Sequence, residues 1–208
     1  TSRRACSFGE ISATSFFPAK PLGCYGDGGA VFTDNEEIAD YLQSIRVHGK
    51  GSYKYDNIRI GWNSRLDTLQ AAVLLPKLQA FKDYEFDRVN EAVSWYAEEW
   101  KDTIVEAVKT PFIPAGFLSS WAQYTIQLND RQMRDGLQSF LKDQGIPTMV
   151  YYPIPLHRQG AFRGLTLYQE CPVTERLCDT VLSLPMHPYL KREDVKRIAG
   201  KICDYLCK

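Results

Sequence analysis

The period of apolar and polar positions changes several times along this chain, and each change predicts a new element. Residues 11–17 and 28–33 are rich in Phe, Ile, Val and Thr and read as two short strands around a glycine-rich turn. Thr33-Asp34-Asn35-Glu36-Glu37 reads as a helix start, with Asp34 as the cap and Glu37 three residues on. Ile38, Leu42 and Ile45 repeat at helical spacing, and the stripe ends near Gly49. Residues 49–65 lose all periodicity and read as a loop of glycines, aromatics and basic side chains. A long helical region is predicted from Asp67 to Trp100, kinked or divided at Pro76. Trp95, Tyr96 and Trp100 recur at helical spacing there, as core or dimer contacts.

Thr110-Pro111-Phe112-Ile113-Pro114-Ala115-Gly116 is a shift in composition and predicts a domain boundary, with residues 1–109 before it and 110–208 after it. The second part reads as α+β. Trp121 to Leu128 alternates as a strand, and Asp130 to Gln144 is a helix ended by Gly145. Pro147 to Tyr152 reads as another strand, and residues 173–183 and 192–206 as amphipathic helices.

Bulk composition removes several classes of function. At 208 residues and 44% apolar content, the chain can bury a sizeable core. Its 25 basic and 25 acidic side chains cancel, which argues against nucleic acid or an anionic membrane as partner. No apolar run has the length of a spanning helix, and no signal-peptide pattern opens the chain. The six cysteines include no Cys-x-x-Cys pair, and no histidine stands at zinc-ligand spacing from a cysteine pair. They read as buried free thiols in a reducing cytoplasm, with no metal site.

The candidate chemistry centres on Lys20, in Thr14-Ser15-Phe16-Phe17-Pro18-Ala19-Lys20-Pro21-Leu22-Gly23. A lysine held between an apolar strand and a tight loop is expected to be poorly solvated. Poor solvation disfavours the ammonium form and makes the amine a nucleophile, as a Schiff base with an aldehyde cofactor requires. The glycines at 23–29 do not open a helix, so they do not form a dinucleotide site. They read instead as permitting positive φ and close backbone approach.

The ordered set Ser15-Phe16-x-x-x-Lys20, Gly28-Gly29, Arg46-x-His48-Gly49, Gly61-x-Asn63-x-Arg65-x-Asp67, Gln70-Ala71-Ala72, Tyr151-Tyr152-Pro153, Pro155-Leu156-His157 and Leu184-Pro185-Met186-His187 resembles the DegT/DnrJ/EryC1/StrS sugar aminotransferases. The resemblance runs from about residue 6 to 206. It implies an α/β fold, with the later part of the large domain of fold-type-I transferases dependent on pyridoxal 5'-phosphate (PLP) followed by a smaller α+β C-terminal domain. It further implies a cytoplasmic homodimer with shared active sites. The activity implied is transfer of an amino group, commonly from glutamate, to a nucleotide-linked keto sugar. The similarity is greatest to enzymes that aminate UDP-linked N-acetyl sugars for surface polysaccharide such as lipopolysaccharide.

Residue by residue, the resemblance makes Lys20 the Schiff-base lysine and proton shuttle, and Ser15 the hydroxyl on the cofactor phosphate. Asn63 becomes the amide that reaches the phosphate of the neighbouring subunit's cofactor. Tyr152 and His157 are expected at the nucleotide-sugar, and Arg46, His48 and Arg65 around it. Asn63 could alternatively cap the following helix, as could Ser64 or Asp67. His157 follows a strand on a loop, which predicts exposure. His187, between Met186 and Pro188, reads as structural.

The family's acid for the pyridine nitrogen precedes its lysine. Here only nineteen residues precede Lys20, and Glu10 is their only acid. The chain is therefore expected to be the later part of a longer polypeptide, and these 208 residues alone are not expected to transaminate. Two alternatives stand beside the aminotransferase. A PLP-dependent sugar dehydratase would replace the lysine with histidine. A non-catalytic regulatory relative would have no reason to keep Lys20, Ser15 and Asn63.

Overall fold

A computed structural model describes residues 3–101, 108–162 and 170–207. Two compact units divide at Asp83/Tyr84. The composition shift at Thr110 groups the helix preceding it with the first domain; here that helix belongs with the second unit. The physical reason is its buried stripe of Val89, Ala92, Tyr96 and Trp100, which recurs at helical spacing and sits in the second unit's core.

In the first unit, β1 (Ser12–Ser15) pairs antiparallel with β2 (Gly29–Phe32), in the register Ser12↔Phe32 to Ser15↔Gly29. Helix α1 (Glu36–Ile45) is capped by Asn35, not by the expected Asp34. Asn35 Oδ1 accepts from the Ile38 amide at 3.1 Å, and Thr33 Oγ1 accepts from the Asn35 amide at 3.1 Å. The cap therefore falls one residue later, because the threonine hydroxyl turns the chain first. Helix α2 (Thr68–Ala80) keeps Pro76 inside it. The helix is interrupted after it, at a π-helical turn over Phe81–Glu85. The predicted break at the proline is thus displaced downstream, to a turn that absorbs the irregularity in i→i+5 hydrogen bonds.

The second unit is built on α3 (Phe86–Trp100) and α6 (Arg192–Leu206), which pack together, and on the antiparallel pair β3 (Tyr124–Gln127) and β4 (Val181–Leu184). Helices α4 (Arg131–Asp143) and α5 (Pro172–Thr180) complete it. Asp130 caps α4 by accepting from the Met133 amide at 2.8 Å. The far end closes as a Schellman turn. Gly145, at φ 68°, donates to the Lys142 carbonyl, and Ile146 donates to that of Leu141.

Two expectations fail here. Residues 181–184 are a strand, not the end of a helix. Val181-Leu-Ser-Leu has strand propensity, and pairing with β3 outweighs the helical stripe read across it. Residues 147–152 make no full strand; Met149 alone pairs with Ser183, by two backbone hydrogen bonds. Pro147 has no amide to donate, which limits the ladder.

The core of this unit gathers Tyr96, Ile126, Leu137, Leu141, Leu182, Val195 and Ile202, all with essentially no exposure. Each such side chain contributes roughly 1.5–3 kcal/mol of burial. Tyr96 stacks on Tyr124 with centroids 4.6 Å apart, and Trp100 tilts against Tyr96 at 5.3 Å. Arg134 is also buried. Its Nη1 donates to the carbonyls of Cys178 at 3.0 Å and Val181 at 3.2 Å, tying α4 to the α5–β4 junction.

Candidate functional site

β1 delivers its last residue, Ser15, to the start of a tight loop. The Phe16 amide donates to the Gly28 carbonyl, and the Cys24 amide returns to the Phe16 carbonyl, each at 2.8 Å. Lys20 sits at the tip of the loop so closed, its own amide donating to the Phe17 carbonyl at 2.8 Å. Gly23 has to be glycine: a Cβ there would come within 2.7 Å of the Phe17 and Pro18 carbonyl oxygens. Cys24 is fully buried beneath the loop, its sulfur 3.0 Å from the Phe16 carbonyl oxygen. Gln70 on α2 anchors the far side, its Oε1 accepting from the Tyr25 amide at 2.7 Å. The sequence showed Gln70 only as part of a motif; its anchoring role is a long-range contact.

Lys20 is exposed in this chain, which corrects the expectation of poor solvation. Among the described residues its strand pairs only with β2, and Lys20 lies beyond the end of that two-stranded ribbon. Ser15 is exposed as well. Its Oγ accepts from the Phe17 amide at 3.1 Å, which leaves the hydroxyl hydrogen able to donate elsewhere.

Arg46, His48, Asn63 and Arg65 form a second group. Val47 and Asn63 make an antiparallel bridge, the His48 amide donates to the Trp62 carbonyl at 2.8 Å, and the Ser64 amide to that of Arg46 at 2.9 Å. Arg65 Nη1 stands 3.5 Å from His48 Nε2. Arginine only donates, so that imidazole nitrogen is the acceptor. His48 and Gly49 both take positive φ, 62° and 74°. The crossing is backbone-tight: a Cβ at Gly61 would lie 2.1 Å from the Gly49 nitrogen. Asn63 does not cap α2, whose N-cap position is Asp67. Its amide is therefore not engaged as a cap and stands exposed.

Tyr152 and His157 lie in the second unit. Tyr152 is 69% exposed and meets the Tyr151 ring edge-on at 5.8 Å. His157 sits in a 3-10 turn (Leu156–Arg158), and its side chain is only 11% exposed, against the expected exposure. Its Nε2 donates to Glu175 Oε1 at 3.1 Å, and Arg158 Nε donates to the same oxygen at 3.0 Å. These hydrogen bonds, His157's first, hold the Glu175 carboxyl below the usual carboxylate range. Sequence reasoning missed Glu175 because its partners are 17 and 18 residues away, with no periodic relation to it. His187 is exposed, and its Nδ1 accepts from the Tyr189 amide at 3.2 Å. Among the described residues, no group of three His, Cys, Asp or Glu side chains could hold a metal ion.

This arrangement offers a loop-tip amine, a hydroxyl with a hydrogen to donate, and an uncommitted amide. Proteins of known sequence and structure are similar to this chain over nearly its whole length. The UDP-2-acetamido-2-deoxy-3-oxo-D-glucuronate aminotransferase of Pseudomonas aeruginosa is 42% identical over 96% of this chain and 53% of its own length. A "Pleiotropic regulatory protein" of Geobacillus stearothermophilus is 40% identical over 95% of this chain and 52% of its own. The crystal structure of a DegT DnrJ EryC1 StrS aminotransferase from Brucella abortus superposes with a TM-score of 0.87 at 49% identity, over 97% of this chain and 52% of that one. The chain thus spans about half the length of the curated relatives it matches, and its fold is the α/β fold type I of these aminotransferases. The family's sequence profile matches residues 1–203, and the chain belongs to the DegT/DnrJ/EryC1/StrS aminotransferase family.

Proposed function

We propose that the full-length protein is a PLP-dependent aminotransferase. It would take an amino group from glutamate and give it to a UDP-linked keto sugar bearing an N-acetyl group, a building block of surface polysaccharide. The carrying observation is the pairing of Lys20, at the tip of a loop closed by backbone hydrogen bonds, with Ser15 at the loop's base, its hydroxyl hydrogen uncommitted. The choice of a UDP sugar rests on likeness to the Pseudomonas enzyme.

The donor set fits the cofactor. Lys20 Nζ would hold its aldehyde, Ser15 Oγ would donate to its phosphate, and Asn63 would donate to the phosphate of a neighbouring copy. When bound, PLP supplies a conjugated electron sink for the carbon that loses a proton. Lys20 Nζ, once free, would take the proton from the donor's α carbon and pass it to the cofactor within the same half-reaction, and would carry a proton the opposite way, to the sugar carbon, in the second. Gly23 and Gln70 brace the backbone of the loop, which would fix where the Lys20 side chain leaves the chain. Tyr152 and His157, with Arg46, His48 and Arg65, would contact the sugar nucleotide.

A homodimer with shared sites is part of the proposal. What supports it is that the first unit exposes Ile60 at 97% and Trp62 at 72%, beside Asn63. No helix among the described residues is long and apolar enough to cross a membrane, and the proposed place of work is the cytoplasm. The Geobacillus relative's name raises a second reading, a regulatory protein. Retention of Lys20, Ser15 and Asn63 favours the enzyme.

Borohydride treatment of the PLP-loaded full-length protein, followed by peptide mass spectrometry, tests the assignment. The cofactor's mass should be fixed on Lys20, and product analysis should show an amino sugar. A label elsewhere, or no PLP binding, would refute it and favour the regulatory reading.

A further inference from the structure

We propose that Glu175 is a positioning residue for the sugar-nucleotide site, acting through His157. The inference rests on the reading that His157 touches the sugar nucleotide. It adds a residue that neither spacing nor the motif set pointed to.

Three donors converge on one oxygen. Glu175 Oε1 accepts from His157 Nε2 at 3.1 Å, from Arg158 Nε at 3.0 Å and from Arg158 Nη2 at 2.7 Å. The donors come from the 3-10 turn Leu156–Arg158, and the acceptor from the first turn of α5. The turn holds itself together only weakly, with Arg158 donating to the Pro155 carbonyl at 2.9 Å and Gln159 to that of Leu156 at 3.1 Å. Neither bond restrains the imidazole. Glu175 does. A carboxylate only accepts, so His157 Nε2 must carry a hydrogen, and that bond holds this ring nitrogen in place. Imidazoles that act on ligands are commonly oriented in this way, by a carboxylate that does not itself touch the ligand.

The two donors differ in exposure. The Arg158 side chain is 60% exposed, so its pairing with Glu175 resembles a surface ion pair of small value. The His157 side chain is 11% exposed, and there a hydrogen bond to a carboxylate is less screened by water. Glu175 remains a carboxylate through the neutral range, because these donors hold its proton affinity down.

The experiment uses the full-length, PLP-loaded enzyme with Glu175→Ala, Glu175→Gln, His157→Ala and the Glu175→Ala/His157→Ala double variant. Glutamine still presents an oxygen to His157 Nε2. Glu175→Ala should raise the KM for the UDP-keto sugar about tenfold, the loss of one oriented hydrogen bond, and weaken UDP binding in calorimetry by a similar factor. The glutamate half-reaction should be unchanged, and Glu175→Gln should recover most of the loss. In the His157→Ala background, Glu175→Ala should have no further effect. An unchanged sugar KM and UDP affinity in Glu175→Ala would overturn the inference while leaving the aminotransferase reading intact. Equal loss in both half-reactions, together with a lower melting temperature, would overturn it in favour of a purely structural role. Wild-type protein that neither binds UDP nor aminates the sugar would fail the functional reading itself, and this inference with it, before any variant is made.

Discussion

Tyr96→Phe separates two contributions of one buried hydroxyl. Tyr96 has no exposed surface, its ring stacks on Tyr124, and its hydroxyl donates to the Pro185 carbonyl at 3.0 Å. Phenylalanine keeps the stack and removes only the hydroxyl, so the loss at neutral pH is that of one buried hydrogen bond, ~1–2 kcal/mol. Alkaline pH brings the second contribution. Burial first, and then the charges of Tyr124 and Asp194, hold the Tyr96 phenol well above its ordinary value near 10, and burial pushes Tyr124 up to about 12.

A raised folded-state value means that the stability is fully present below pH 10 and is lost as pH climbs toward the folded value, because only the unfolded chain can release the proton. At ~1.36 kcal/mol per pH unit, each phenol costs the wild type roughly 2–3 kcal/mol between pH 10 and 12. Tyr96→Phe gives up the hydrogen bond but escapes one of these losses. Urea unfolding followed by tryptophan fluorescence, from pH 8 to 11.5, should show the variant less stable at first. The two curves should converge and cross near pH ~11, where about one unit of proton linkage offsets the lost bond. Curves that stay parallel would refute the burial argument, and equal stability at pH 8 would refute the hydrogen bond.

Other substitutions probe the site and its supports. Lys20→Ala in the full-length protein should lower amination by at least ~10²–10⁴-fold, the value of a positioned proton carrier, measured by product formation. Gly61→Ala would drive a Cβ to 2.1 Å from the Gly49 nitrogen, displacing backbone. It should cost ~1–3 kcal/mol in a melting assay and weaken PLP retention by moving Asn63. Arg134→Ala leaves the Cys178 and Val181 carbonyls without their buried donor and should cost ~1.5–3 kcal/mol in urea unfolding. Asp130→Ala removes the cap on α4 and should cost ~1 kcal/mol in the same measurement, where no change would argue against the cap.

What could be read from residue order was local. Ser15 and Lys20 on one strand and its loop, the capped α4 with its glycine stop, and the stripe on α3 all follow from neighbours within a few turns. Short-range steric and hydrogen-bonding preferences decide those features. The ordered motifs carried the family as well. Exposure could not be read in this way. Lys20 was expected to be shielded and is open, and His157 was expected to be open and is tucked against Glu175. Burial depends on what packs from elsewhere, and a period reports only that a face is apolar.

Tertiary structure also decided between equal local options. Val181–Leu184 fits a helix or a strand, and pairing with β3 chose the strand. The long helix could have broken at Pro76, yet the irregularity settled at Phe81–Glu85. Residue order alone set the chemistry available to this chain: one amine, one hydroxyl and one amide in a fixed succession. Which side chains stand in water, which carboxylate orients which imidazole, and where the chain divides into units came from long-range packing, because those energies arise between residues that the sequence keeps far apart.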